Sequence, residues 1–217
     1  MRLDGYEYGG SIVEDLNEIV KRINSIEWDM FVSVNEGGAR ASCQENRPMF
    51  EGMRTAQFSA WSLEAAASYL DDLETARRGG RNLLEEKYIH MMKTTEPLHF
   101  SALLPRVAMP SEAARDLAKE ASDLLLEQTR VLFNDYPNVA GQGRPLYSES
   151  DHCGTSVETY QFCELLTYSE KTLARLKEHI IAQNREGKSL ARMIMENTVC
   201  FLGYKSLEEA EASAKNK

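Results

Sequence analysis

The chain has 217 residues, of which 42% are hydrophobic and 27% are charged, and its formal net charge is −9. This composition is typical of a soluble globular protein, and no apolar run reaches the roughly 18–20 residues that a membrane span requires. The acidic balance argues against a nucleic-acid partner, because a phosphate backbone is bound by clustered positive charge. The four cysteines lack metal-binding spacing, so we expect reduced thiols in a cytoplasmic protein. We expect residues 1–217 to form a single domain.

The signals along the chain predict helices and no strands. Capping motifs begin at Ser11, Asn82, Thr155 and Ser206, where a short polar residue is followed three positions later by glutamate. Glycines such as Gly80 fall where a left-handed residue would end a helix. We predict an all-α fold of eight to nine helices, with irregular stretches at about 34–46 and 135–154. The predicted helices cover about 11–33, 47–60, 62–78, 82–93, 111–134, 155–167, 169–185, 189–202 and 206–215, with a short helical turn at 97–103.

The two halves of the chain resemble each other weakly. A shift of 107 residues aligns Phe50–Met92 with Val157–Val199 and places Ser62 on Ser169. Both halves show the same order of helices, caps and glycine stops. We therefore predict two helical halves related by a pseudo-twofold axis, and a cleft between such halves is a common ligand site. The predicted repeat units are residues 11–93 and 111–202.

Polar residues interrupt the apolar stripes of two predicted helices. Arg54 and Gln57 share a stripe with large apolar residues, and Gln161, Glu164 and Tyr168 occupy equivalent positions in the second half. A buried charge is costly unless it is paired. The sequence supports two interpretations: a structural ion pair such as Arg54–Glu164, or a polar pocket for a ligand.

Helix 82–93 carries three more candidates. Lys87 lies on its apolar stripe and either extends to solvent or loses its charge by desolvation, which would make it a base or nucleophile. Glu86 and His90 stand one turn apart, a spacing that can hold a metal. A metal enzyme would recruit further carboxylates, namely Glu51, Glu158 and Glu164.

The predicted loops contain residues suited to binding. Arg40 lies two residues after the pair Gly37–Gly38, and Arg144 directly follows Gly143. Glycine permits close approach of a ligand to the backbone, and arginine can bind its carboxylate or phosphate group. Cys43 is either a nucleophile or a small buried apolar residue. Neither loop matches a nucleotide-binding motif.

Several stretches resemble a prokaryotic family catalogued as domain of unknown function 4125, from about residue 18 to 210. The family implies no particular activity. His90 departs from the residue expected there, which argues against a metal at Glu86 and His90. The resemblance is carried by Glu27–Phe31, Ala41–Gln44, Phe50–Arg54, Gln57–Phe58, Gly80–Tyr88, Thr167–Leu173, Glu196–Val199 and Gly203–Glu209.

These observations predict binding of a small molecule, an anionic metabolite, in a polar cleft between the halves. Acid/base catalysis is a further option, with Glu164 as the general acid or base and its pKa raised by burial. The alternatives are a helical module that docks on another protein or on a second copy, and a carboxylate/histidine metal enzyme. The sequence identifies no cofactor. Predicted catalytic residues are Glu164, Tyr168, Cys43 and Tyr88, and predicted ligand-binding residues are Arg40, Arg54, Gln57, Arg144 and Glu158.

Overall fold

The computed structural model describes residues 15–34, 42–149 and 155–215. Within these ranges the chain forms eleven α-helices, short 3-10 turns and no strand. None of these helices has both the length and the apolar character needed to cross a membrane. The helices are α1 (Leu16–Ser33), α2 (Arg47–Phe58), α3 (Leu63–Arg78), α4 (Leu83–Thr95), α5 (Pro97–Leu103), α6 (Glu112–Asp135), α7 (Pro137–Ala140), α8 (Val157–Leu165), α9 (Glu170–Arg185), α10 (Leu190–Phe201) and α11 (Leu207–Lys215).

Short polar side chains define the starts of the main helices. The Asn82 side chain accepts hydrogen bonds from the backbone N–H groups of the first turn of α4, as its capping motif predicts. Ser62 and Ser169 do the same for α3 and α9. Caps of this kind each stabilise a helix by about 1 kcal/mol. Gly80 follows α3 with a φ of 70°, which confirms the predicted left-handed stop.

The helix boundaries correct the sequence analysis in three places. Eleven helices are present in the described ranges rather than eight to nine. Helix α5 corresponds to the predicted short helical turn at 97–103, whereas α7, which begins at Pro137, is only 4 residues long and is too short for periodicity to reveal. Helix α1 begins at Leu16 with Asp15 as its N-cap, and not at the predicted Ser11, which lies outside the described residues. Helix α8 is capped by Ser156 rather than Thr155.

The helices pack around a core that runs through both halves of the chain. Helix α1 packs on α2, α3 and α4, while α6 packs on α8, α9 and α10. The two sets meet through three helix pairs, α3 with α9, α2 with α10 and α4 with α8. Helix α11 packs on α7 and α10. The core joins fully buried side chains of both halves, among them Ile23, Leu73, Leu83, Leu173, Leu176 and Ile180.

Helices α2 and α10 approach each other closely at one point. A Cβ added to Gly52 would lie 2.1 Å from ring atoms of Phe201. A larger residue at position 52 would therefore displace this ring. The contact seats α10 directly on α2, and both helices contribute to the wall of the cavity described below.

Candidate functional site

A charged network is buried where α1, α2, α4 and α8 meet. Its members are Glu27, Arg54, Lys87 and Glu164, with exposed fractions of 0%, 8%, 4% and 7%. Arg54 contacts Glu27 at 2.5 and 2.6 Å and Glu164 at 3.1 and 3.3 Å. The Lys87 Nζ lies 3.2 Å from Glu164 Oε2. Two carboxylates thus balance two cations, and the predicted Arg54–Glu164 pair is confirmed.

Every N–H donor of Arg54 is engaged within the protein. Nε donates to Glu27, Nη2 donates to Glu27 and Glu164, and Nη1 donates to Gln57 and Glu164. A guanidinium group has five N–H donors, so this set accounts for all of them. Arg54 is therefore fully hydrogen-bonded within the network and has no donor left for an anionic ligand.

Glu164 is similarly surrounded by donors. It accepts hydrogen bonds from Arg54 at both oxygens, from Gln57 at 3.1 Å, from Tyr168 at 2.9 Å and from Lys87 at 3.2 Å. Burial alone would raise the pKa of Glu164, but the charges of Arg54 and Lys87 outweigh burial and hold this pKa well below its usual range. The predicted raised pKa is therefore wrong, and the ionised carboxylate is a weak base.

Lys87 is held by a carboxylate and a phenol. Its Nζ donates to Tyr160 Oη at 2.8 Å and to Glu164. Burial alone would lower the pKa of Lys87, but Tyr160 and Glu164 outweigh burial and raise it. Lys87 therefore neither extends to solvent nor loses its charge, and both predicted roles for it are wrong.

One member of the network, Glu27, and its hydrogen-bond partner Tyr69 were not among the residues predicted from the sequence. Glu27 is the second carboxylate, and Tyr69 donates to its Oε1 at 2.7 Å. Burial raises the pKa of Tyr69 well above its ordinary value, so its hydroxyl remains a donor. The signal for Glu27 was present, because it lies on the α1 stripe between Ile23 and Met30 at helical spacing.

A cavity of about 480 Å³ adjoins the network, between α2, α6, α8 and α10. Much of its wall is apolar and includes Leu125, Leu176, Leu190 and Ile194. Exposed residues, among them Arg144, lie at its edge and mark its opening. The structure brings five predicted site residues to this one cavity: Arg54, Gln57, Arg144, Glu164 and Tyr168. Tyr160 and Gln161 also line it, and neither was among the predicted site residues.

Arg144 is fixed at the opening by two contacts. Its Nη1 donates to the backbone oxygen of Thr155 at 2.9 Å, and its guanidinium carbon lies 4.7 Å from the centre of the Tyr160 ring. No carboxylate of the described ranges forms an ion pair with it. The guanidinium is thus held in place by a backbone bond and a cation–π contact, with further donors to offer.

Three other predicted site residues, Cys43, Tyr88 and Glu158, are not part of the cavity lining. Cys43 is exposed in the 3-10 turn Ser42–Glu45, so its alternative interpretation as a buried apolar residue is wrong. Tyr88 lies 5.0 Å from the Lys87 Nζ, and burial raises its pKa to about 12. Glu158 instead accepts a hydrogen bond from the backbone of Ser148 at 2.8 Å. Arg40 lies outside the described residues.

The alternative of a carboxylate/histidine metal site is not supported by the side-chain positions. Both oxygens of Glu86 bind Arg81, at 2.7 and 2.8 Å, instead of turning toward His90. Glu164 is committed to Arg54 and Lys87. Across the described ranges, no three His, Cys, Asp or Glu side chains are grouped so that they could hold a metal ion.

We expect His90 to make the stability of the fold sensitive to mild acid. Its Nε2 is buried without a hydrogen-bond partner among the described residues, and burial, aided by Arg115 and Lys93, lowers its pKa from 6.5 to about 4. Between these two pH values the unfolded chain binds a proton at His90 and the folded chain does not. The free energy of unfolding should therefore fall as the pH decreases from 6.5 toward about 4. We expect His90→Phe to reduce this loss in urea denaturation measured across that range. His99→Phe, at an exposed position, should leave this loss of stability unaltered. An equal effect of both substitutions would contradict the attribution of the loss to His90.

Comparison with known proteins places the chain in one family. No curated protein and no solved structure matches it. One family model matches residues 17–212, nearly the whole chain, and so covers the network and the cavity. The chain belongs to the family described as protein of unknown function (DUF4125).

Proposed function

We propose that the protein binds a small, largely apolar molecule in the cavity between α2, α6, α8 and α10. The observation that carries this proposal is the cavity itself. Its volume of about 480 Å³ falls within the range of roughly 300–1,000 Å³ found for ligand pockets. An apolar wall with a few polar groups at one side is also the usual lining of such pockets.

The proposal is one of binding rather than acid/base catalysis. A general base must be free to accept a proton near neutral pH. Glu164 meets five donors, and Arg54 and Lys87 favour its charged form. The network is better suited to hold α1, α2, α4 and α8 in fixed positions beside the cavity.

A cavity-filling variant tests the proposal. Ala191 lies on α10 and lines the cavity, so Ala191→Phe should place a ring inside it. We expect 1-octanol to bind the wild-type protein saturably and to change the fluorescence of Trp61, which also lines the cavity. Ala191→Phe should abolish this binding and leave the circular dichroism spectrum helical. Ala182→Phe, at an exposed position of α9, is the matched control and should bind normally. Equal binding by both variants would place the probe elsewhere, and no binding by the wild type would overturn the proposal.

We also infer that the cavity belongs to a duplicated architecture. The shift of 107 residues relates α2 to α8, α3 to α9 and α4 to α10. Exchanging the two halves therefore turns the α2–α10 contact into the α8–α4 contact and leaves the α3–α9 contact unchanged. Ser62 and Ser169 cap equivalent helices. Gln57 and Glu164, which are 107 residues apart, occupy equivalent positions and meet directly. These relations support a pseudo-twofold axis passing near the contact between Gln57 and Glu164.

Docking on a protein partner is a second candidate function. Met49 and Met53 lie one turn apart on α2, and Phe201 and Leu202 lie at the end of the adjacent α10; all four are 42–48% exposed. Grouped apolar residues on a surface often mark an interface. Sedimentation velocity over a range of concentrations tests the simplest form, a homodimer. Dimerisation in the wild type that Met49→Glu abolishes would support this function, and a monomer at all concentrations would contradict the homodimer.

A further inference from the structure

The charges around the cavity restrict where an anionic group can bind. Two cations line it, Arg54 and Arg144. Arg54 has no free donor, and the Glu164 carboxylate beside it would repel an anion. Arg144 donates one hydrogen bond to Thr155 and forms no ion pair with a carboxylate of the described ranges. An anionic group that enters the cavity would therefore bind at Arg144 rather than at Arg54.

Arg144 is well placed to receive a carboxylate. A guanidinium group binds a carboxylate through two parallel N–H bonds, which fixes its orientation. The cation–π contact with Tyr160 at 4.7 Å already restricts the Arg144 side chain, so the side chain loses less conformational entropy when a ligand binds. The exposed position of Arg144 also lets an anion keep part of its hydration.

The apolar wall of the cavity is suited to a hydrocarbon chain. Leu125 and Leu132 of α6, Leu176 of α9, and Leu190 and Ile194 of α10 contribute to its wall. Burying methylene groups against such a wall favours binding, because it removes apolar surface from water. A ligand that matches both parts has an apolar tail and a single anionic head.

We propose that the cavity binds a medium-chain carboxylate, with its tail against the apolar wall and its carboxylate on Arg144. This inference rests on the proposed binding function and adds the chemical class of the ligand and the residue that selects it. It assigns no reaction.

The test compares octanoate, 1-octanol and acetate by isothermal titration calorimetry. A charge-assisted contact at an exposed position should make wild-type binding of octanoate roughly threefold to tenfold tighter than that of octanol, and added salt should reduce this preference. Arg144→Gln should bind octanoate and octanol with similar affinity. Arg185→Gln removes an exposed arginine of α9 away from the cavity and should keep the preference. Acetate should not bind measurably.

Each contrary outcome has a distinct meaning. Equal binding of octanoate and octanol by the wild type would overturn the carboxylate assignment and leave the proposed binding function standing. A preference for octanoate that survives Arg144→Gln would overturn the role of Arg144. Acetate binding as tightly as octanoate would show that the tail contributes nothing. Failure of all three probes would overturn the proposed function together with this inference.

Discussion

Replacing Arg54 with methionine is expected to lower the free energy of unfolding by about 5 kcal/mol near neutral pH. The Arg54 side chain bridges two buried carboxylates. One of them, Glu27, has an exposed fraction of 0% and forms its ion pair with Arg54. Without the guanidinium, Glu27 keeps the neutral Tyr69 hydroxyl and no positive charge. Because domains are stable by only about 5–15 kcal/mol, this single change should bring the protein close to unfolding.

The dependence on pH identifies the cause of this loss. Burial favours the neutral form of a carboxylate that has no cation beside it. Such a group destabilises the fold at high pH, so the deficit of Arg54→Met should shrink between about pH 7 and about pH 5. Urea denaturation at the two pH values measures it. Arg54→Lys, which keeps the charge but loses the five-donor geometry, should fall between wild type and Arg54→Met. A deficit that is the same at both pH values would indicate lost packing instead of stranded charge.

Glu164→Gln is expected to cost about 3 kcal/mol, because it leaves two buried cations with one carboxylate. Glutamine retains the shape and one acceptor oxygen, so the loss reports mainly on charge. Lys87 is affected most, since Glu164 is its ion-pair partner. The change should therefore act on stability and not on catalysis, unlike the expectation from the sequence.

A double-mutant cycle isolates this charge effect. The variant Glu164→Gln with Lys87→Met contains one buried cation and one buried carboxylate, so it should regain most of the lost stability. Glu178→Gln, on the exposed face of α9, is the matched control and should change stability by less than about 0.5 kcal/mol. Additive effects of the two single changes would mean that Lys87 and Glu164 do not stabilise each other.

Much of the candidate site was predictable because helical spacing determines which side chains share a face. The positions of Arg54 and Gln57 on one stripe, and of Glu164 and Tyr168 on the other, led to the correct expectation that these groups meet. The starts of α3, α4 and α9 were equally predictable, since the cap is a local interaction between a side chain and the next turn.

The electrostatic state of the site was not predictable in the same way. Burial of Glu164 alone implies a raised pKa, and the sign reverses because Arg54, and after it Lys87, place positive charge at the carboxylate from two other helices. Local sequence does not reveal which distant helix supplies such a partner. The local sequence likewise does not reveal that the Glu158 carboxylate accepts a hydrogen bond from the backbone N–H of Ser148.

The exchange of partners between the halves has a consequence for how the chain acquires its structure. Helices α2 and α4 pack on α10 and α8, so a fragment ending after α5 would expose the faces that these later helices cover. Such a fragment should not be a stable monomer, because it would leave these apolar faces in water. The intact chain is accordingly expected to unfold in a single cooperative transition.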